Sequence, residues 1–221
     1  LVQVSKHELT RKDSHTLSVL LHSIGDMERI SDHAVSIAKA AEEIYEKNLA
    51  FSQAAVRELQ VFSAAIKEIV ELTMEAVHTE NLEKAQQVEP LEEVIDDLGA
   101  SMKQRHIERL REGRCTIELG FILSDLTTSY QRIADHCSNI AVCLVQADKD
   151  EYGRHAYLKS LKTEDRMHFA QQYQAYSEKY ALPERIKGTP KVDMRSHMQR
   201  EELPECPEEL QREFPEPAEA E

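Results

Sequence analysis

D-M-E-R-I-S-D-H-A-V-S-I-A, residues 26–38, returns as S-Y-Q-R-I-A-D-H-C-S-N-I-A at residues 129–141. Arg29 matches Arg132, Asp32 matches Asp135 and His33 matches His136, all at an offset of 103. Repeats this similar imply two copies of one supersecondary unit, so the architecture is decided by what surrounds each copy.

Around the first copy, Leu17, Leu20, Leu21, Ile24, Met27, Ile30, Ala34, Ile37, Ala38, Ala41 and Ile44 recur at three-and-four spacing. That spacing predicts one long helix over residues 14–47 with a buried apolar stripe. Val56, Leu59, Phe62, Ala65, Ile66, Ile69, Leu72, Met74 and Val77 repeat the pattern over 53–79, after a break near Phe51 and Ser52. A third helix is expected from Asn81 to Leu110, stopped at Gly113, which can take the left-handed conformation that ends helices. The fourth, from Ile117 to about Gln146, carries the second copy of the motif. Long helices joined by short connections must fold back on one another, so an antiparallel three-helix bundle is expected over 52–148.

By the offset, Gly113 corresponds to Thr10, so residues 1–51 hold only the last helix of a truncated first repeat, while 52–148 hold a complete second one. Residues 149–200 read as a short helical extension, with Leu158, Leu161, Phe169, Tyr173, Tyr176 and Tyr180 to seat it. Residues 201–221 hold nine Glu, four Pro and one Arg, the composition of a disordered acidic tail. The fold class is all-α.

Composition agrees and removes partners. Among 221 residues, 41% are hydrophobic, 5% are aromatic and none is Trp, which provides a core but not the aromatic strands and repeated turns of an all-β fold. The net charge of −14 and the lack of clustered Lys and Arg exclude a nucleic-acid partner. No apolar run reaches the ~18 residues of a membrane span, and the first residues lack the charged and apolar regions of a signal peptide. Cys115, Cys137, Cys143 and Cys206 form no C-x-x-C pair, so free thiols in a reducing cytoplasm are expected.

The words E-R-I-S-D-H and Q-R-I-A-D-H-C-S-N-I-A resemble the E-R-I-G-D-x-x-x-x-I signature of the PhoU family, whose architecture is two similar three-helix bundles. Gln131 stands where that family often has an acid, and Ser31 and Ala134 stand where it has Gly. R-H-I-E-R-L (105–110), G-R-C-T-I-E-L-G (113–120) and L-K-T-E-D (161–165) are similar to the cytosolic PhoU-like domain that follows the membrane part of bacterial sodium/phosphate cotransporters. This resemblance implies a non-catalytic regulatory domain at the cytoplasmic side of the bacterial inner membrane. Its partner would be the transporter portion of its own parent chain. A free-standing PhoU-type regulator of phosphate signalling is the alternative. With one bundle incomplete, a homodimer that pairs the exposed apolar face of the first helix is also expected.

Carboxylates provide the candidate chemistry. Glu28 and Asp32 are four apart and share a helix face, where like charges repel by ~0.2–0.5 kcal/mol unless a cation intervenes. On the third helix Glu89, Glu93 and Asp97 share a face at i, i+4 and i+8. Reflection through the turn near 113–114 sets Asp135 level with about 92 and Gln131 level with about 96, so Asp135 would join that acidic surface. The family resemblance implies multinuclear iron or zinc at Glu28, Asp32, Glu89, Glu93 and Asp135. By the same reflection, partners of Glu28 and Asp32 fall before residue 1, leaving that set half built or completed by a second chain.

Simpler roles exist for the same residues. Arg29 and Arg132 lie three before Asp32 and Asp135, a spacing that surface ion pairs use at little energetic consequence. His33 and His136 read as capped or interfacial histidines rather than ligands, and Asn139 as an interhelical hydrogen-bonder. A di-metal carboxylate oxidase needs two Glu-x-x-His pairs, and only Glu75 with His78 supplies one. No nucleophile constellation or glycine-rich phosphate loop occurs, so no enzyme is expected.

Overall fold

The structure is a computed structural model that describes residues 10–148 and 166–184. Among the described residues five helices run in order: α1 (Arg11–Glu46), α2 (Gln53–Thr79), α3 (Leu82–Arg111), α4 (Ile117–Asp148) and α5 (Arg166–Lys179). The described residues are all-helical, as the periodicity requires. Within the extension only α5 and the residues after it, to 184, are described, and the acidic tail lies outside the described residues.

Local chemistry fixes the helix ends. Thr10 and Asp13 form a reciprocal capping box at the start of α1, and Asp13 N–H donates to Thr10 Oγ1 at 3.2 Å. Ser52 and Asn81 cap α2 and α3 by accepting from Ala55 N–H (3.3 Å) and Lys84 N–H (3.0 Å). The turn after α3 closes through Gly113 at φ +67°, the left-handed residue that the sequence provides for it.

α2, α3 and α4 pack pairwise into an antiparallel bundle, and α1 lies along α4. The main core includes Phe62, Ile69, Val88, Leu91, Ile95, Met102, Leu123, Ile133 and Val145, all buried. A smaller cluster of Ala40, Ile122 and Leu126, flanked by Ile37, Ile44, Leu49 and Phe51, joins α1 to α4. Pro90 is fully buried inside α3, where it removes the backbone bond to the Gln86 carbonyl in the middle of the acidic stretch.

The α1 stripe expected to be buried is only partly so. Ile30, Ile37, Ala40 and Ile44 pack, whereas Leu20 (46%), Leu21 (52%) and Ile24 (49%) are exposed. The repeat gives the reason. At the offset of 103, Leu20 and Ile24 correspond to Leu123 and Thr127 of α4, which are buried in the three-helix bundle. α1 has only α4 as an extensive neighbour among the described residues, so the equivalent face meets solvent. Periodicity reports that a face is apolar, not whether a helix is there to cover it.

The candidate acidic face and the crossing of the repeated helices

The α3–α4 register follows the reflection drawn from the turn. Gln131 Nε2 donates to Asp96 Oδ1 at 2.8 Å, and Ser138 Oγ donates to Glu89 Oε2 at 2.6 Å. Two close approaches hold the helices at this level. A Cβ on Gly99 would lie 3.0 Å from the Gln131 side chain, and one on Gly120 would lie 2.7 Å from His106 Nε2. Lys103 Nζ completes the arrangement by donating to Gln131 Oε1 at 3.0 Å. Gln131 thus bridges an acid and a base where an acidic residue would repel Asp96.

Carboxylates crowd this face. Burial first, then the charges of Glu89, Asp96, Asp135 and Glu93, push the Glu92 carboxyl up to about 8. Its neighbours are nevertheless engaged individually. Glu89 is buried and accepts from Ser138, Asp97 accepts from Tyr173 Oη at 2.5 Å, and Asp135 accepts from Arg132 at 3.0 Å. Glu28 and Asp32 lie exposed on α1, which packs on α4 rather than α3. The hard carboxylate oxygens suit a divalent or trivalent ion. However, no three His, Cys, Asp or Glu side chains converge to hold a metal among the described residues.

The two motif copies meet where α1 crosses α4. His33 and His136, equivalent by the repeat, stack with ring centroids 5.8 Å apart and planes at 26°. Asp26 Oδ1 accepts from His136 Nδ1 at 2.8 Å and from Asn139 Nδ2 at 3.2 Å. The two histidines are therefore interfacial, and Asn139 is the interhelical hydrogen-bonder that its position suggests. The motif's pseudosymmetry stops at this carboxylate, because Ser129 occupies the position equivalent to Asp26. Burial, followed by the positive potential of His136 and Arg132, lowers the pKa of His33 from 6.5. The neutral form of the His33 ring is thus favoured.

A second polar network was not legible in the sequence. Glu58 on α2 accepts from Arg109 Nη1 (3.0 and 2.8 Å) and from Arg105 Nη1 (3.2 Å), with Glu58 and Arg109 both buried. Among the described residues Arg109 Nε and Nη2 are buried without a hydrogen-bond partner, and Glu58 is the acceptor that this guanidinium meets. Glu58 falls among apolar α2 positions Ala55, Phe62 and Ala65, which was the available signal. Elsewhere, Glu75 pairs with Lys84 and His78 is exposed, so the Glu-x-x-His pair faces solvent instead of a bundle interior. Cys137 is buried and free, and burial pushes its thiol up to about 12, the state of an inert core cysteine.

An acidic helical bundle whose duplicated R-I-x-D-H helices clasp each other defines an all-α repeat domain. The PhoU domain family model matches residues 1–41 and 59–144, more than half of the chain. The chain belongs to the PhoU family. It is 23% identical over 137 residues to the phosphate-specific transport system accessory protein PhoU homolog 1 of Thermotoga maritima, a match covering 62% of this chain and 58% of that protein. The chain thus spans less than two thirds of that relative's length. No solved structure matches it significantly.

Proposed function

We propose that this chain is a non-catalytic regulatory domain that tunes phosphate transport, carried on the cytosolic side of a bacterial sodium-dependent phosphate cotransporter. The observation that carries the reading is the family membership of residues 1–41 and 59–144, whose two signature helices are α1 and α4. The likeness of residues 105–110, 113–120 and 161–165 to cotransporter-linked PhoU domains supports the parent. The coupling element is the α1–α4 crossing, where Asp26 ties the two motif helices by bonds to His136 and Asn139. A transporter segment that shifted α1 would be felt in the bundle through this clasp. Pairing of exposed α1 faces between two copies, through Leu20, Leu21 and Ile24, belongs to the same reading.

A free-standing PhoU-type regulator is the second reading, favoured by the name of the Thermotoga relative, an accessory protein of a transport system. The parent gene discriminates. Apolar spans encoded upstream favour the cotransporter, and a complete first bundle with no spans favours the free regulator. Phosphate uptake in cells with and without this domain tests the regulatory role common to both.

Iron or zinc on the acidic face is a separate part of the proposal. The crowding around Glu92 supports it, since a multivalent cation would relieve that repulsion. The individual partners of Glu89, Asp97 and Asp135 would have to give way. Elemental analysis after incubation with iron and zinc, beside a Glu93→Gln, Asp135→Asn variant, decides it. Stoichiometric metal lost in the variant supports the site. Its absence from both leaves these carboxylates as hydrogen-bonding and ion-pairing residues, and the regulation as helix packing alone.

A further inference from the structure

α5 lies outside the residues that match the family model, yet it belongs to the same compact unit as the four long helices. Two contacts with α3 set its direction. Tyr173 meets Asp97 and the Pro183 carbonyl meets Arg105, so α5 runs parallel to α3 and antiparallel to α2 and α4. That is the polarity of a fourth helix added to an antiparallel bundle.

The helix is anchored by burial. Tyr173, Tyr176 and Tyr180 recur at i, i+3 and i+7 and share one face. Tyr180 is 6% exposed and is part of the main core, while Tyr173, Tyr176 and Leu182 pack against that core. Burial, followed by the charge of Glu68, raises the pKa of the Tyr176 phenol from its usual 10. Fourteen residues are marginal as an isolated helix, so docking and helix formation in this segment are one event.

Polar bonds then tie α5 and the residues after it to both neighbouring helices. Glu68 of α2 accepts from Lys179 Nζ at 2.5 Å and from Tyr180 Oη. Farther along, Arg105 Nη1 of α3 donates to the Pro183 carbonyl at 2.7 Å and to Glu58 of α2 at 3.2 Å. One carboxylate there serves two guanidiniums, Arg105 and Arg109, and the Pro183 carbonyl gives Arg105 a second acceptor. Undocking α5 would thus take Tyr180 out of the core and Pro183 away from the buried ion pair together.

We infer that α5 and residues 180–184 are a fixed fourth helix of this domain, a clamp that seals the face between α2 and α3. The folded unit of this chain therefore runs past the end of the family match at residue 144, to at least residue 184. A sealed α2–α3 face is closed to other chains, and the self-pairing proposed above falls to the apolar residues of α1.

Amide hydrogen exchange on the unmodified full chain tests the clamp without a variant. A fixed helix opens only with the bundle, so amides of residues 173–180 should exchange within about tenfold of those of residues 95–105 on α3. Exchange more than about tenfold faster would show α5 opening by itself and would overturn the proposal. Tyr180→Ala reads the coupling from the other side. It should lower the thermal unfolding midpoint by about 5 °C or more and speed exchange in α2 and α3 as well as in α5. Tyr173→Phe removes only the bond to exposed Asp97 and should shift the midpoint by less than about 2 °C. An unchanged midpoint in Tyr180→Ala, or faster exchange confined to α5, would mark a loose appendage and overturn the clamp. A Tyr173→Phe shift as large as that of Tyr180→Ala would count against the buried anchor. If Tyr180→Ala does not fold, the exchange pattern of the unmodified chain decides alone.

Discussion

Replacing Glu92 by Gln should stabilise the protein in alkaline solution and leave it nearly unchanged in acid. Burial and four neighbouring carboxylates raise the folded-state pKa of Glu92 from 4.5 to about 8. Between those values the folded chain keeps a proton that the unfolded chain has released, so stability falls as pH rises through the window. At 1.36 kcal/mol per unit the loss reaches roughly 5 kcal/mol, an upper limit because neighbouring carboxylates can share the proton. About 2 kcal/mol is the expected difference in practice, larger than the scatter of urea extrapolation. Glu92→Gln keeps the shape and removes the ionisation. Urea unfolding at pH 4.5 should show the variant within about 0.5 kcal/mol of the parent chain, and at pH 8.5 about 2 kcal/mol above it. An equal effect at both pH values, or a destabilised variant at pH 8.5, would refute the claim that burial and the neighbouring carboxylates hold Glu92 protonated.

Two further changes probe the packing. Glu58→Ala leaves Arg109 buried without the carboxylate it pairs with, which should cost about 3–5 kcal/mol in chemical denaturation, whereas Glu58→Leu combined with Arg109→Met should recover most of the loss. A single-variant loss below about 1 kcal/mol would contradict burial of the pair. Gly120→Ala places a methyl 2.7 Å from His106 Nε2 and should lower thermal stability by about 1–3 kcal/mol, an effect that His106→Ala should relieve.

Much of the architecture is legible in the chain because it is encoded locally. Three-and-four spacing specifies each long helix, capping residues mark their starts, and Gly113 marks the turn from which the α3–α4 register can be counted to Gln131 and Asp96. The Asn139 bond is legible as that of an interhelical hydrogen-bonder, whereas the stacking of His33 on His136 depends on how α1 crosses α4 and is not in the motif itself. The candidate metal residues are less so. Spacing puts Glu89, Glu93 and Asp97 on one helix, but only packing shows that Ser138 takes Glu89 and Tyr173 takes Asp97. The seat of α5 depends on Glu68 and Arg105, residues more than seventy positions away whose polarity reads as ordinary surface. Exposure of Leu20, Leu21 and Ile24 likewise depends on which neighbours α1 has, not on its own pattern.

The central claim is that this domain regulates phosphate transport without doing chemistry of its own. Labelled phosphate uptake, measured across external phosphate concentrations in cells whose chromosomal copy carries Asp26→Ala and His136→Ala, addresses it most directly. Both changes dissolve the α1–α4 clasp while leaving the main core of α2, α3 and α4 in place. Uptake that no longer adjusts to external phosphate, at unchanged protein abundance, is the result expected. Uptake that follows the parent strain at every concentration would contradict the account.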